Sequence, residues 1–264
     1  MLSFKRLGLL LRKHWIENYR IYLMGMGIIA GFTILIFLLV FYTEDGKIED
    51  TFQIGYYSAG LFLCGTIFTS YIFNDFSQKP KGILFLTLPG SSLEKFLSLW
   101  LYATIGFVII YSLIFYAVAI PFVKVSQSYN ADELVRHSKF YNSRIQVLNF
   151  FQSEKEFYYI FFPYFFIQAV FLLGSVWFER FSFIKTAISG LLLVALFTFS
   201  NYAMGRILIG EESVTAIPFH LLRHSYITAR MPDSITHVIE FIAKYCVTPF
   251  LWFITYLKVA EKEL

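Results

Sequence analysis

An all-α, polytopic membrane protein with six transmembrane helices is the fold expected for these 264 residues, and three observations lead to it. Hydrophobic residues make up 57% of the chain and charged residues only 15%, against roughly 25% in soluble domains, so too little charge exists to cover a water-facing surface. Charge-free apolar runs recur along the chain, and a helix of about 20 such residues crosses a bilayer. Lysine and arginine flank those runs and form no single patch, which orients spans in a membrane and gives no surface for nucleic acid.

The first 20 residues carry too much charge for the core of a cleaved leader, and the run after them is too long for one, so that run is expected to persist as a span. Phe4, Leu7, Leu11 and Trp15 fall on one helical face, with Leu10 beside them, while Lys5, Arg6, Arg12, Lys13 and Arg20 fall broadly on the other. This pattern predicts a basic amphipathic helix over 1–20 lying in the inner interface and contacting lipid. The plainer alternative is a basic flank that only orients the first span.

Five uninterrupted runs then predict spans at 21–43, 51–74, 96–123, 157–178 and 186–205. A sixth, 235–257, is apolar only from 245 onward and contains Glu240 and Lys244. Those two are four apart, so one helix face can pair them, or both lie at the outer interface. Between spans three and four, Asn130 with Glu133 has the form of a reciprocal cap, and Leu134, Tyr141, Ile145 and Leu148 recur on one face. An external helix over about 131–150 is expected there. No internal duplication is visible, so a transporter of two repeated halves has no support.

Six spans put both termini on one side. With the N-terminus inside, the inner segments hold 12 Lys and Arg in 55 residues and the outer ones 9 in 75. The density places both termini in the cytoplasm of a multi-pass protein of the cell (inner) membrane.

Chemistry-bearing motifs are few. Cys64 and Cys246 sit in apolar segments, where cysteine is a small buried hydrophobe, so neither a disulfide nor a metal site is expected. His220 and His224 have zinc-protease spacing, but Leu221 stands where the catalytic Glu belongs. Glu211-Glu212 resembles the pair in membrane prenyl-protein proteases, but Ala216 replaces the Arg that completes it. Gly90-Ser91-Ser92 has no His nearby in sequence and reads as a turn and helix cap. The only Gly-Lys pair, Gly46-Lys47, lies in an acidic turn and opens no phosphate-binding loop. The five clean spans carry no titratable acid or base for a proton-driven carrier. Gln168, near the middle of the fourth, is expected to hydrogen-bond helix to helix. No enzyme activity and no cofactor are expected of this chain.

The inner loop 75–95 is polar, then apolar over 83–88, then breaks at Pro89-Gly90. The apolar hexamer is too short to span. Ser91 or Ser92 can cap the next helix, and Glu94 in its first turn complements the helix dipole. The stretch "LTLPGSSLEKFLSLWL" resembles the Leu-Pro-x-Ser-x-x-Glu segment before the third span of ATP-binding-cassette (ABC) transporter permeases of the type-2 exporter class. The basic helix before span one, the short turn "FERFSFIKT" and the ending "PFLWFITYLKVAEKEL" agree with that class. The outer loop 124–156 is longer than in its smallest members.

The resemblance implies a six-span subunit that pairs into a dimer and moves its substrate with a separate ABC ATPase chain. It implies that Pro89, Gly90, Ser91, Ser92, Glu94 and Lys95 form the turn and helix start that pass on the ATPase stroke. The apolar hexamer, the Pro-Gly break and the capped helix lead to the expectation that 83–95 protrudes as the main ATPase contact, and the helix-dipole effect of about 0.3–1 kcal/mol to the expectation that Glu94→Lys still folds and inserts. The alternatives are a membrane assembly or sensor subunit that uses the spans as a scaffold, and a membrane-embedded enzyme.

Overall fold

The computed structural model describes residues 3–74, 90–130, 146–151, 154–178, 181–209, 241 and 245–261. Among the described residues every regular element is helical and none is a strand. The helices are α1 (Phe4–Thr43), α2 (Asp50–Asn74), α3 (Ser92–Leu101), α4 (Phe107–Tyr129), α5 (Glu154–Trp177), α6 (Ser182–Ile209) and α7 (Val247–Glu261). A π-helical turn, Tyr102–Gly106, joins α3 to α4 without a break. Five of the resulting stretches are long and apolar enough to cross a membrane: α1, α2, the α3–α4 unit, α5 and α6. The sixth expected span, 235–257, has a described helix only over Val247–Glu261, which has 15 residues. Glu240 and Lys244 lie outside the described residues.

Helix α1 has 40 residues, about 60 Å at 1.5 Å per residue, twice a hydrocarbon core of ~30 Å. The expected division into an interfacial helix over 1–20 and a span from 21 has no counterpart in the backbone, because the helix is continuous. The reason is visible in the chain: no proline lies between Phe4 and Thr43, and the helix ends only at the Glu44–Gly46 turn. Helix α2 begins one residue before its expected span, and α3, α5 and α6 begin three or four residues before theirs. Charge ended the apolar runs, but charged residues such as Asp50, Glu94 and Lys185 continue the helices.

The helices alternate in direction and give the bundle two ends. At the far end, Asp45 and Gly46 take positive φ (48° and 81°) to reverse the chain between α1 and α2. Ser126 and Asn130 tie α4 to that turn: both side chains donate to Gly46 O, and Ile48 N donates to Ser126 Oγ. Asn130 therefore closes α4, where an external helix had been expected to open. The described end of that expected helix, 146–149, is not helical. Its backbone bonds go to side chains of the bundle: Gln53 Nε2 donates to Gln146 O, Leu148 N to Gln53 Oε1, and Phe150 N to the Tyr116 hydroxyl. Phe150 is wholly buried and stacks on Tyr57 at 4.2 Å between ring centroids. The remaining stretch, 131–145, lies outside the described residues.

Two apolar clusters fill the bundle. The larger gathers Phe37, Tyr57, Leu61, Tyr111, Phe115 and Tyr164 from α1, α2, α4 and α5. The smaller lies at the near end, where the chain begins, and joins Phe73, Phe96, Leu99, Leu172, Val176 and Val259. Outside them, long apolar faces stay uncovered: Ile28, Phe32, Leu35 and Leu39 on α1, and Leu191, Leu193 and Phe199 on α6. Soluble monomers rarely expose contiguous apolar surface on this scale. Cys64 and Cys246 are both free thiols.

Candidate functional site

The near end carries a polar clamp at the start of α3. Ser91 is extended (φ −72°, ψ 151°), which turns its side chain back over the first helical turn. Its Oγ accepts from Glu94 N at 3.3 Å, and Ser91 N donates to Glu94 Oε2 at 3.1 Å. This reciprocal cap satisfies two N–H groups that a helix start would otherwise leave without partners.

The other Glu94 oxygen reaches across to α1. Ser3 N donates to Oε1 at 2.7 Å, and Arg6 Nη2 lies 3.1 Å from the same atom. The Glu94 side chain is closed to solvent, while that of Arg6 is about half exposed. The Ser3 N–H, with Ser91 N–H and Arg6 beside it, holds the carboxyl below the usual carboxylate range, against the opposing effect of desolvation. One carboxylate thus locks the first turn of α1 to the first turn of α3.

Behind the clamp, Leu10 and His14 are the buried residues of α1's first four turns. His14 Nε2 bonds the Tyr22 hydroxyl, Asn18 Nδ2 donates to His14 O at 3.1 Å, and the His14 ring sits 5.1 Å from that of Tyr102. Tyr102 closes the contact by donating to Leu11 O at 2.8 Å. Burial first, and the charge of Lys13 second, push the imidazole down to about 4 from its ordinary 6.5. His14 and Glu94 both lie outside the charge-free apolar runs 21–43 and 96–123.

Phe4 is 82% exposed and Trp15 39%, with Leu7 and Leu11 half-buried, so the stripe expected to meet lipid lies beside the face that packs on the protein, which centres on Leu10 and His14. Glu94 and Lys95 do not protrude: both are buried, because the cap turns Glu94 inward onto α1 and Lys95 follows it on the packed side. Ser91 and Ser92 are half-buried, and Gly90 lies within van der Waals reach of Leu10, where a Cβ would stand 3.6 Å from Leu10 Cδ1. Pro89 and the hexamer 83–88 fall outside the described residues, as do Glu211, Glu212, His220 and His224.

Glu94→Lys therefore removes a carboxylate with three donors and sets an ammonium against Arg6. The helix dipole is then only one of the interactions that Glu94→Lys removes, so a larger loss of stability than the dipole alone is expected. Ser3, His14 and Tyr102 escaped the sequence reading, and Arg6 was read only as part of a basic face. A signal existed for His14, which shares the stripe Leu7, Leu11, Asn18 and Tyr22 at helical spacing.

Deeper in the bundle, Gln168 Nε2 donates to Thr104 Oγ1 at 3.0 Å and Gln168 Oε1 accepts from Trp252 Nε1 at 3.3 Å. Gln168 thus bridges α5 to the π turn and α7, as expected for an amide between helices. No group of three or more His, Cys, Asp or Glu suited to a metal ion occurs among the described residues. No family model, curated protein or solved structure matches the chain.

Proposed function

We propose that the chain is the six-span permease subunit of an ABC exporter, working as a dimer in the inner membrane with both termini in the cytoplasm. ATP hydrolysis then belongs to a separate subunit. The observation that carries this reading is the Glu94 clamp. A reciprocal cap opens a helical stretch of 38 residues, Ser92–Tyr129, directly after the inner loop. The same carboxylate grips the start of α1. A load applied at the loop 75–89 would enter two long helices together, α1 and the α3–α4 unit, and move them as one body. The five long apolar helices and the Leu-Pro-Gly-Ser-Ser-Leu-Glu sequence support the same reading.

On this reading the ATPase contact lies on 83–89, and Glu94 transmits force without touching the partner. The test is affinity purification of the chain from native membranes, followed by an ATP hydrolysis assay. An ATP-hydrolysing chain should copurify, and Phe85→Ala should lower its recovery while the permease still inserts. An ATPase that binds Phe85→Ala normally and crosslinks outside 83–95 would end the coupling assignment. A stable partner without ATPase activity would favour the assembly or sensor role.

A further inference from the structure

A cleft of about 320 Å³ opens between α1, α2 and the π turn. Its floor is Tyr22, Phe68 and Phe107, and its rim is Ile21, Ile28 and Ile67, each about half exposed or more. The volume falls within the range of ligand pockets. Of its three tyrosine hydroxyls, that of Tyr22 bonds His14 and that of Tyr102 donates to Leu11 O, while Tyr71 is about half exposed. The wall therefore offers hydrocarbon and aromatic surface, which suits an alkyl chain.

The cleft's place along the helices narrows the occupant. On α1 it runs from Trp15 to Ile29, and on the other wall from Tyr71 to Cys64 and from Tyr102 to Ile110. All three walls start at the near end. From Trp15 to Ile29 the length is about 21 Å at 1.5 Å per residue, close to the ~20–22 Å of one leaflet with its headgroups. The cleft thus matches one leaflet in depth and opens sideways to it.

The charge at its mouth is positive. Arg6 is held by Glu94 and Lys13 by Glu17. Arg12 has no carboxylate partner among the described residues and lies one turn before Trp15, which lines the cleft. Among the described residues Arg20 meets the Tyr19 hydroxyl and ring and no carboxylate.

We propose that this cleft seats one acyl chain of an anionic phospholipid from the leaflet at the near end, with Arg12 holding the headgroup phosphate. The proposal rests on the bilayer-spanning reading of the helices and is independent of any ATPase. The π turn serves the site directly: it carries Tyr102 to the mouth and leaves Gly106 in the wall.

Two glycines supply a matched pair of variants. A Cβ at Gly25 or at Gly27 would meet nothing within 4 Å, but Gly25 lines the cleft and Gly27 does not. Leucine at either position improves helix propensity. The protein is reconstituted in phosphatidylcholine vesicles containing a trace of phosphatidylglycerol with a photoactivatable acyl tail, and adducts are mapped by mass spectrometry. Adducts should form on Cys64 and Ile67 and should be competed by unlabelled phosphatidylglycerol in preference to phosphatidylcholine. Gly25→Leu should lower them to the level found on the open α6 face at 191–194, while Gly27→Leu leaves them unchanged. Arg12→Gln should raise the phosphatidylglycerol needed for competition about fivefold, the factor for ~1 kcal/mol per basic residue at an anionic surface. Equal competition by phosphatidylcholine, or cleft adducts that survive Gly25→Leu or vanish equally in Gly27→Leu, would overturn the proposal. Adducts on 191–194 with none in the cleft would remove the site alone, and no adduct anywhere would remove the bilayer-spanning reading with it.

Discussion

Ser91→Ala isolates the cap from the rest of the clamp. It deletes the Ser91 Oγ acceptor for Glu94 N, but leaves the backbone bond from Ser91 N to Glu94 Oε2 and both contacts from Glu94 to α1. Loss of a serine N-cap costs typically ~1 kcal/mol, whereas glycine at the same place costs only a few tenths. The Lys95 amide is a clean reporter, since it donates to Ser91 O at 3.1 Å, a bond that neither substitution removes. If the first turn of α3 opens as a local unit, ~1 kcal/mol should speed Lys95 amide hydrogen exchange about fivefold in Ser91→Ala. Ser91→Gly should speed it less than about twofold. Exchange at Phe115, deep in α4, should stay unchanged in both. Unaltered Lys95 exchange in Ser91→Ala would mean that the cap does not set the stability of this turn. A glycine variant as fast as alanine would mean that the hydroxyl acts on something other than the helix start. Either result refutes the reasoning.

Three further outcomes follow from the structure. A Cβ on Gly174 would stand 2.0 Å from Thr186 Oγ1 and 2.8 Å from Thr186 Cβ, so Gly174→Ala should destabilise the α5–α6 contact by roughly 1–3 kcal/mol in thermal unfolding, and Thr186→Gly should relieve it more than Thr186→Ala. His14 is held neutral in the docked α1, with its pKa lowered to about 4, so the undocked form takes up the proton first. Docking should be complete above pH 6.5 and weaken as pH falls toward 4. A variant keeping Trp15 as its only tryptophan should show that transition by fluorescence and lose it with His14→Gln; a transition that persists would assign it elsewhere. In a variant with Cys64 and Cys246 replaced by alanine, a membrane-impermeant thiol reagent added from outside should label a cysteine at Asp132 or Glu212 and miss one at Ser77. Outside labelling at Ser77 would reverse the orientation.

Composition and spacing were enough for the helical class, for the places of five long apolar helices and for a serine cap at 91 or 92 with Glu94 in the first turn, of which the structure selects Ser91. These depend on local quantities: the length of an apolar run, and a serine with a glutamate three residues later. A helix must satisfy its own backbone wherever it sits, so its identity is written in its own residues. Boundaries were less legible. Charge ended the expected spans at 96 and 186, yet α3 starts at Ser92 and α6 at Ser182, because a charged side chain continues a helix as well as an apolar one.

The choice of face on α1 was decided only in three dimensions. The stripe Phe4, Leu7, Leu11 and Trp15 was expected to meet lipid, and the face that packs on the protein, centred on Leu10 and His14, was not assigned from sequence. The reason is the carboxylate of Glu94, 91 residues away from Ser3 in sequence, which fixes the rotation of α1 by binding Ser3 N and Arg6. The same holds at 146–149, where Gln53 and Tyr116 take the backbone bonds that a local helix would have used. A hydrophobic pattern records how much apolar surface a helix has to bury. Which neighbour covers it is set by polar groups that meet only after the helices have packed, since a buried carboxylate or amide must find its partners and an apolar face accepts many.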